Sequence, residues 1–113
     1  MLSKKFRVPR EEMEMIMKSG KSFHTDFFYA KFLPNKFSFQ RFAVVIPIKI
    51  EKKSSGRHLL KRRITSVIER FIKNSFQKSF DSVILAKKNS PTLSFSEVAL
   101  EINKILEHTY KLF

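Results

Sequence analysis

The sequence predicts an α+β fold in which a helix, a run of strands, a second helix, a further strand and a last helix follow one another. Three observations carry that expectation. Apolar residues recur at helical spacing in three separate segments, and a stretch rich in β-branched and aromatic residues lies between the first two of these. A short segment that is apolar on both phases, Ser82–Ala86, precedes the last helical pattern. The length, 113 residues, is that of one domain, so residues 1–113 are taken as a single unit.

The first helix is expected from Pro9 to Lys18. Proline suits a first turn, Glu11, Glu12 and Glu14 near the start and Lys18 near the end suit the helix dipole, and Gly20 follows as a stop. Met13, Ile16 and Met17 share one face. From Ser22 to Ile50 the composition reads as strand, turn, strand, with Pro34 and Asn35 at the turn. Phe42, Val44, Ile46, Ile48 and Ile50 recur with period two, whereas Phe37 and Phe39 fall in the opposite phase, which requires a break near Gln40. Pro47 marks an edge or an end of this run. Phe27, Phe28 and Tyr29, consecutive in a strand, must point to both faces.

After Ser54-Ser55-Gly56 a long helix runs from about Arg57 to Asn74, with Leu60, Ile64, Val67, Ile68 and Phe71 as its apolar stripe and a basic flank beside it. Residues 87–91 form a loop after the Ser82–Ala86 strand. Ser94 and Glu97 have the spacing of a capping box, and Phe95, Val98, Ala99, Ile102, Ile105, Leu106 and Thr109 follow at helical spacing.

Charge narrows the function. With 23 Lys and Arg against 10 Asp and Glu, the net +13 calls for an anionic partner, and nucleic acid leads. No stretch is long and apolar enough for a bilayer span, and the opening Leu2-Ser3-Lys4-Lys5-Phe6-Arg7 does not read as a signal peptide, so the cytoplasm is expected and a membrane is not. The absence of Cys excludes disulfides and thiolate chemistry. From Lys49 to Arg63 seven basic residues stand against Glu51 alone. Lys49, Lys52, Lys53, Arg57, His58, Lys61, Arg62 and Arg63 thus gather where a strand leads into a helix N-terminus, a setting for phosphate oxygens.

Catalytic chemistry finds little to use. His24, His58 and His108 are scattered, and no metalloprotease, phosphate-loop or nucleophile-elbow motif occurs. Glu11, Glu12 and Glu14 are explained by a helix start, so neither a catalytic residue nor a protein-bound metal is expected. Most of the 13 Phe and two Tyr should be core, yet an aromatic or Met exposed beside basic residues would stack unpaired bases.

The segment Arg57-His58-Leu59-Leu60-Lys61-Arg62-Arg63-Ile64 resembles the arginine-rich helix of bacterial ribonuclease P proteins. Arg41-Phe42-Ala43-Val44-Val45 with Lys49 and Lys52-Lys53 is similar to the strand and approach that precede that helix, and Asp81–Lys87 to the strand that follows it. Leu2–Arg7 and Gly20-Lys21-Ser22 resemble the family's N-terminal signature. His58 stands where the family's Asn is expected, Leu59 where a second Arg is common, Pro47-Ile48 where Ser-Lys is usual, and Met13 and Met17 where Phe is common.

The resemblance implies an α-β-β-β-α-β-α sandwich with a left-handed βαβ crossover, ribosomal protein S5 domain 2-like. It also implies a subunit that binds ribonuclease P RNA, one protein per RNA, and grips the 5′ leader of precursor tRNA. The implied leader cleft holds Met13, Met17, Phe28, Ala30 and Lys31. Mg²⁺ and the cleavage chemistry would belong to the RNA subunit, with no small-molecule substrate. A small ribosomal or ribosome-associated structural protein shares the charge, size and fold, and a self-sufficient nuclease is disfavoured by the missing acid-base set.

Overall fold

The computed structural model describes residues 2–74 and 78–112. Helix α1 (Arg10–Ser19) is followed by strands β1 (Lys21–His24), β2 (Phe28–Pro34) and β3 (Arg41–Val45), helix α2 (Ser54–Asn74), strand β4 (Phe80–Ala86) and helix α3 (Phe95–Leu112). The strands form one sheet in the order β1-β2-β4-β3. β1 and β4 pair antiparallel with β2, while β3 runs parallel to β4, joined to it through α2. A parallel neighbour demands such a crossover, since a tight turn can only reverse a strand.

Strands β2, β3 and β4 alternate between two covered faces. On one, Phe28, Ala30 and Phe32 of β2, Phe42 and Val44 of β3, and Phe80, Ile84 and Ala86 of β4 meet the apolar stripes of α2 and α3. On the other, Ala43 and Val83 meet Ile16 of α1 and Val8, with Met13, Met17, Leu33, Val45 and Leu85 packed around them. Burial of β4 on both phases confirms the reading of its apolar run.

Several boundaries depart from the sequence expectation. The first strand run is divided at Thr25, whose hydroxyl accepts the N–H groups of Phe27 (3.3 Å) and Phe28 (3.1 Å) while its own N–H donates to Phe28 O (2.9 Å). Phe27 therefore lies in a turn. The third strand stops at Val45, so Pro47 marks its end as the sequence allowed, and Pro47 O accepts from the N–H of Ile50 (2.9 Å) and of Glu51 (3.2 Å) to build a turn within the stretch over which the period-two pattern continues. Ile46 and Ile50 still pack on the core, but Ile48 is exposed. Helix α2 starts three residues early, at Ser54, and buries Ile72 where Phe71 is only half-buried.

Gly20 stops α1 without leaving the ordinary extended region. What requires glycine is space, since a Cβ would lie 2.9 Å from Phe32 O and 2.5 Å from Ile16 O. The capping box forms as expected, with Ser94 N–H donating to Glu97 Oε1 (2.9 Å) and Glu97 N–H to Ser94 Oγ (3.2 Å).

Candidate nucleic-acid interface

Two surfaces carry the residues that the sequence singles out. The first surrounds the start of α2. The turn at Pro47 delivers Glu51 to the helix N-terminus, where its carboxylate accepts the N–H of Lys53 (3.0 Å) and where Gly56 leaves room for it, a Cβ there falling 2.8 Å from Glu51 Cδ. The one acid of the basic run is thereby engaged with backbone. Lys49, Lys52, Lys53, His58, Lys61 and Arg62 remain exposed around the helix start. Spacings of three and four place Ser54, Arg57, His58 and Lys61 along one strip, and with Val44 and Ile46 they line a hollow of about 190 Å³ beside the edge strand β3.

Arg57 and Arg63 do other work. Arg57 Nη1 donates to the carbonyls of Glu51 (3.0 Å) and Lys52 (2.9 Å), clasping the approach loop onto the helix. Arg63, half-buried, donates to Leu93 O (2.9 Å) and ties α2 to the loop before α3. A guanidinium nitrogen held by backbone carbonyls clamps a loop, so Arg57 and Arg63 fix loop geometry as well as adding positive charge to the cluster.

The second surface is the α1 face of the sheet. Met13 and Met17 reach it and pack against the buried cluster of Val8, Ile16, Ala43 and Val83. Lys31 reaches it as well, with Nζ donating to Gly20 O (3.3 Å). Phe28 and Ala30 do not, because they occupy the opposite phase of β2 and are wholly buried under α2 and α3. That corrects the expected cleft. The β2 residue between them, Tyr29, is half-buried on the α1 side with its ring 4.3 Å from that of His24. Tyr29 was missed because aromatic residues stand on both phases of β2 and Lys31, which shares the phase of Tyr29, is the one polar mark of parity.

The α1 side of the sheet also holds a largely buried charge network that sequence reasoning missed, at the end where β3 and β4 begin. Arg41 donates from Nε to Asp81 Oδ1 (2.9 Å) and from Nη2 to Asp81 Oδ2 (2.6 Å) and Glu12 Oε1 (2.9 Å), while Asn35 Nδ2 donates to Asp81 Oδ1 (2.8 Å). Hydrogen bonding to Asp81 raises the pKa of Arg41 well above its ordinary value, against the opposing effect of burial. The pairing joins α1, β3 and β4, and its members are adjacent only once β3 and β4 are in register at Arg41 and Asp81. Among the described residues no group of three or more His, Asp or Glu is placed to hold a metal ion, and no helix is long and apolar enough to cross a membrane.

Basic residues around a helix N-terminus, and a sheet face with aromatic and thioether groups, define an RNA-binding protein built on an α+β sandwich. The ribonuclease P family model matches residues 3–110. Among curated relatives, the ribonuclease P protein component of Rickettsia bellii is 32% identical over 108 residues, covering 89% of this chain and 90% of that protein. That of Rickettsia felis is 32% identical over 106 residues, covering 86% and 90%. The solved ribonuclease P protein of Thermotoga maritima superposes with a TM-score of 0.81 at 26% identity, covering 90% of this chain and 96% of that one. The Staphylococcus aureus protein shares the fold, with a TM-score of 0.82 at 17% identity over 92% and 94% of the chains. The chain belongs to the bacterial ribonuclease P protein family. It is the protein component of a ribonucleoprotein enzyme and functions with an RNA subunit in the 5′ maturation of tRNA.

Proposed function

We propose that the two surfaces divide the RNA between them. The exposed cations at the start of α2, Lys49, Lys52, Lys53, Lys61 and Arg62, with His58 among them as a hydrogen-bonding group, meet phosphates of the RNA subunit. The α1 face of the sheet, with Met13, Met17, Tyr29 and Lys31, receives the unpaired 5′ leader of precursor tRNA. The observation that carries the reading is the fate of charge around α2: Glu51 is consumed by a backbone N–H while the neighbouring lysines and Arg62 stay exposed. A helix N-terminus adds favourable dipole potential at the same place.

In this reading one protein serves one RNA in the cytoplasm as a single folded domain. Mg²⁺ and bond cleavage belong to the RNA subunit, and the protein contributes binding and screening of phosphate repulsion. Binding to the RNA subunit should fall when Lys61 and Arg62 are both changed to Ala, and the slope of log affinity against log salt should flatten by about one unit per lost phosphate contact. The double variant should keep its melting temperature, because both side chains are exposed. Unaltered affinity and slope would refute the α2 assignment.

A further inference from the structure

The N-terminal segment and the β2–β3 loop build a third feature that neither surface uses. Residues Lys4–Phe6 form a short 3₁₀ turn, and the chain then runs beside the edge strand, with Val8 N–H donating to Phe42 O (2.9 Å). This brings Phe6 edge-on to Phe39, with centroids 5.9 Å apart, and Phe39 in turn lies 5.4 Å from Phe37. Phe37 and Phe39 belong to neither of the cores. Phe37 is 44% exposed, a large apolar surface beside a polar loop.

The ring is held in place from behind. The Arg41 guanidinium lies 4.5 Å from the Phe37 centroid and is itself fixed by Asp81 and Glu12. Asn35 Oδ1 accepts the N–H of Phe37 (2.9 Å), which sets the loop. An open groove of about 420 Å³ runs along one side, lined by Lys4, Lys5, Arg7, Phe37 and Phe39 among others, with Lys5 Nζ 4.7 Å over the Phe39 ring. The hollow on the other side of Phe37 is lined by Glu11 and Glu12 together with Lys36 and the Arg41–Asp81 ion pair. The two sides of the ring thus differ in charge, and an anionic chain is drawn to the lysine side and repelled from the other.

We propose that this groove is a further RNA contact, in which an unpaired base stacks on Phe37 and the adjoining phosphates lie against Lys4, Lys5 and Arg7. It rests on the reading that the chain's partner is RNA, and is independent of the α2 and α1-face assignments. Stacking explains why a fixed aromatic ring is presented outside the core, and the lysines explain why the stacked group carries phosphate. The unpaired base belongs either to the RNA subunit or to the precursor.

The chain holds no Trp, so Phe37→Trp places a single indole in the groove, and base stacking quenches indole emission. Quenching when the RNA subunit alone is added would assign the base to that RNA. Quenching only after precursor tRNA joins the complex would assign it to the substrate. Unquenched emission in a complex whose assembly is verified by gel mobility would overturn the groove while leaving RNA binding intact; failure of the unsubstituted chain to assemble would overturn both. Phe37→Leu keeps apolar volume and removes stacking, and should weaken binding of the same RNA on the order of tenfold at an unchanged melting temperature. Equal affinity, or a large fall in melting temperature, would make Phe37 a merely structural residue.

Discussion

Asp81 shows how much one side chain in this protein holds. It is only 6% exposed, accepts two hydrogen bonds from Arg41 and one from Asn35, and its strand lies between two others. A buried pair contributes little net stability while intact, because desolvation offsets attraction, but removing one partner strands the other charge. Asp81→Ala is therefore expected to cost about 3–5 kcal/mol, measured by denaturant unfolding. Replacement of exposed Lys61 should lie within about 0.5 kcal/mol of zero in the same assay. A neutral Asp81→Ala would mean that Glu12 alone can compensate Arg41. Arg41 also backs the Phe37 ring, so the network links α1, the sheet and the β2–β3 loop.

Helix α3 carries its own polar device at its first turn. The Ser94 N–H and hydroxyl both hydrogen-bond within the capping box, and the bonds from Ser94 hold the Glu97 carboxyl below its ordinary pKa. A depressed folded pKa means that the stabilisation is present above the ordinary value and lost as pH falls through the folded one. Glu97→Gln keeps an acceptor for the Ser94 N–H but removes the titrating carboxyl, so it should lower the melting temperature at neutral pH and should lack the parent chain's further loss as pH falls below the ordinary carboxylate range. Parallel acid profiles for the two proteins would refute the linkage. This helix was the most legible element in the sequence, because its cap and its one apolar stripe are local signals. The strands were less so. β2 reads Phe28-Tyr29-Ala30-Lys31-Phe32-Leu33, with Lys31 the one charge among apolar and aromatic residues on both phases, since helices cover both faces. One lysine is too little alternation to show which phase faces α1, and Phe28 and Ala30 were consequently placed on the wrong side. The Thr25 turn was hidden for a related reason: its hydroxyl does the work that a Gly or Pro would have advertised. The basic cluster around α2 was legible as a charge run, but the bonds of Arg57 depend on how the preceding turn folds back on the helix and that of Arg63 on Leu93, 30 residues along the chain.

Across the whole molecule the two faces of the sheet are covered very differently. One carries two long helices and a continuous core; the other carries one short helix with a single buried residue, Ile16. Stability therefore concentrates on the α2–α3 side, and the α1 side is where side chains such as Tyr29 and Met17 stay partly accessible. The division makes adjacent positions on β2 separable by experiment. Phe28→Ala removes a ring with no exposure and should cost about 3–5 kcal/mol while lowering affinity for all RNAs alike, through the unfolded fraction. Tyr29→Ala, one residue along, should leave most of the stability and remove a stacking surface for the leader. Binding of precursor tRNA to the assembled ribonucleoprotein should then weaken roughly five- to a hundredfold, with binding of mature tRNA unchanged. Equal losses for precursor and mature tRNA, or a fall in stability comparable to that of Phe28→Ala, would show that the α1 face is only a second core and would return the leader to some other part of the surface.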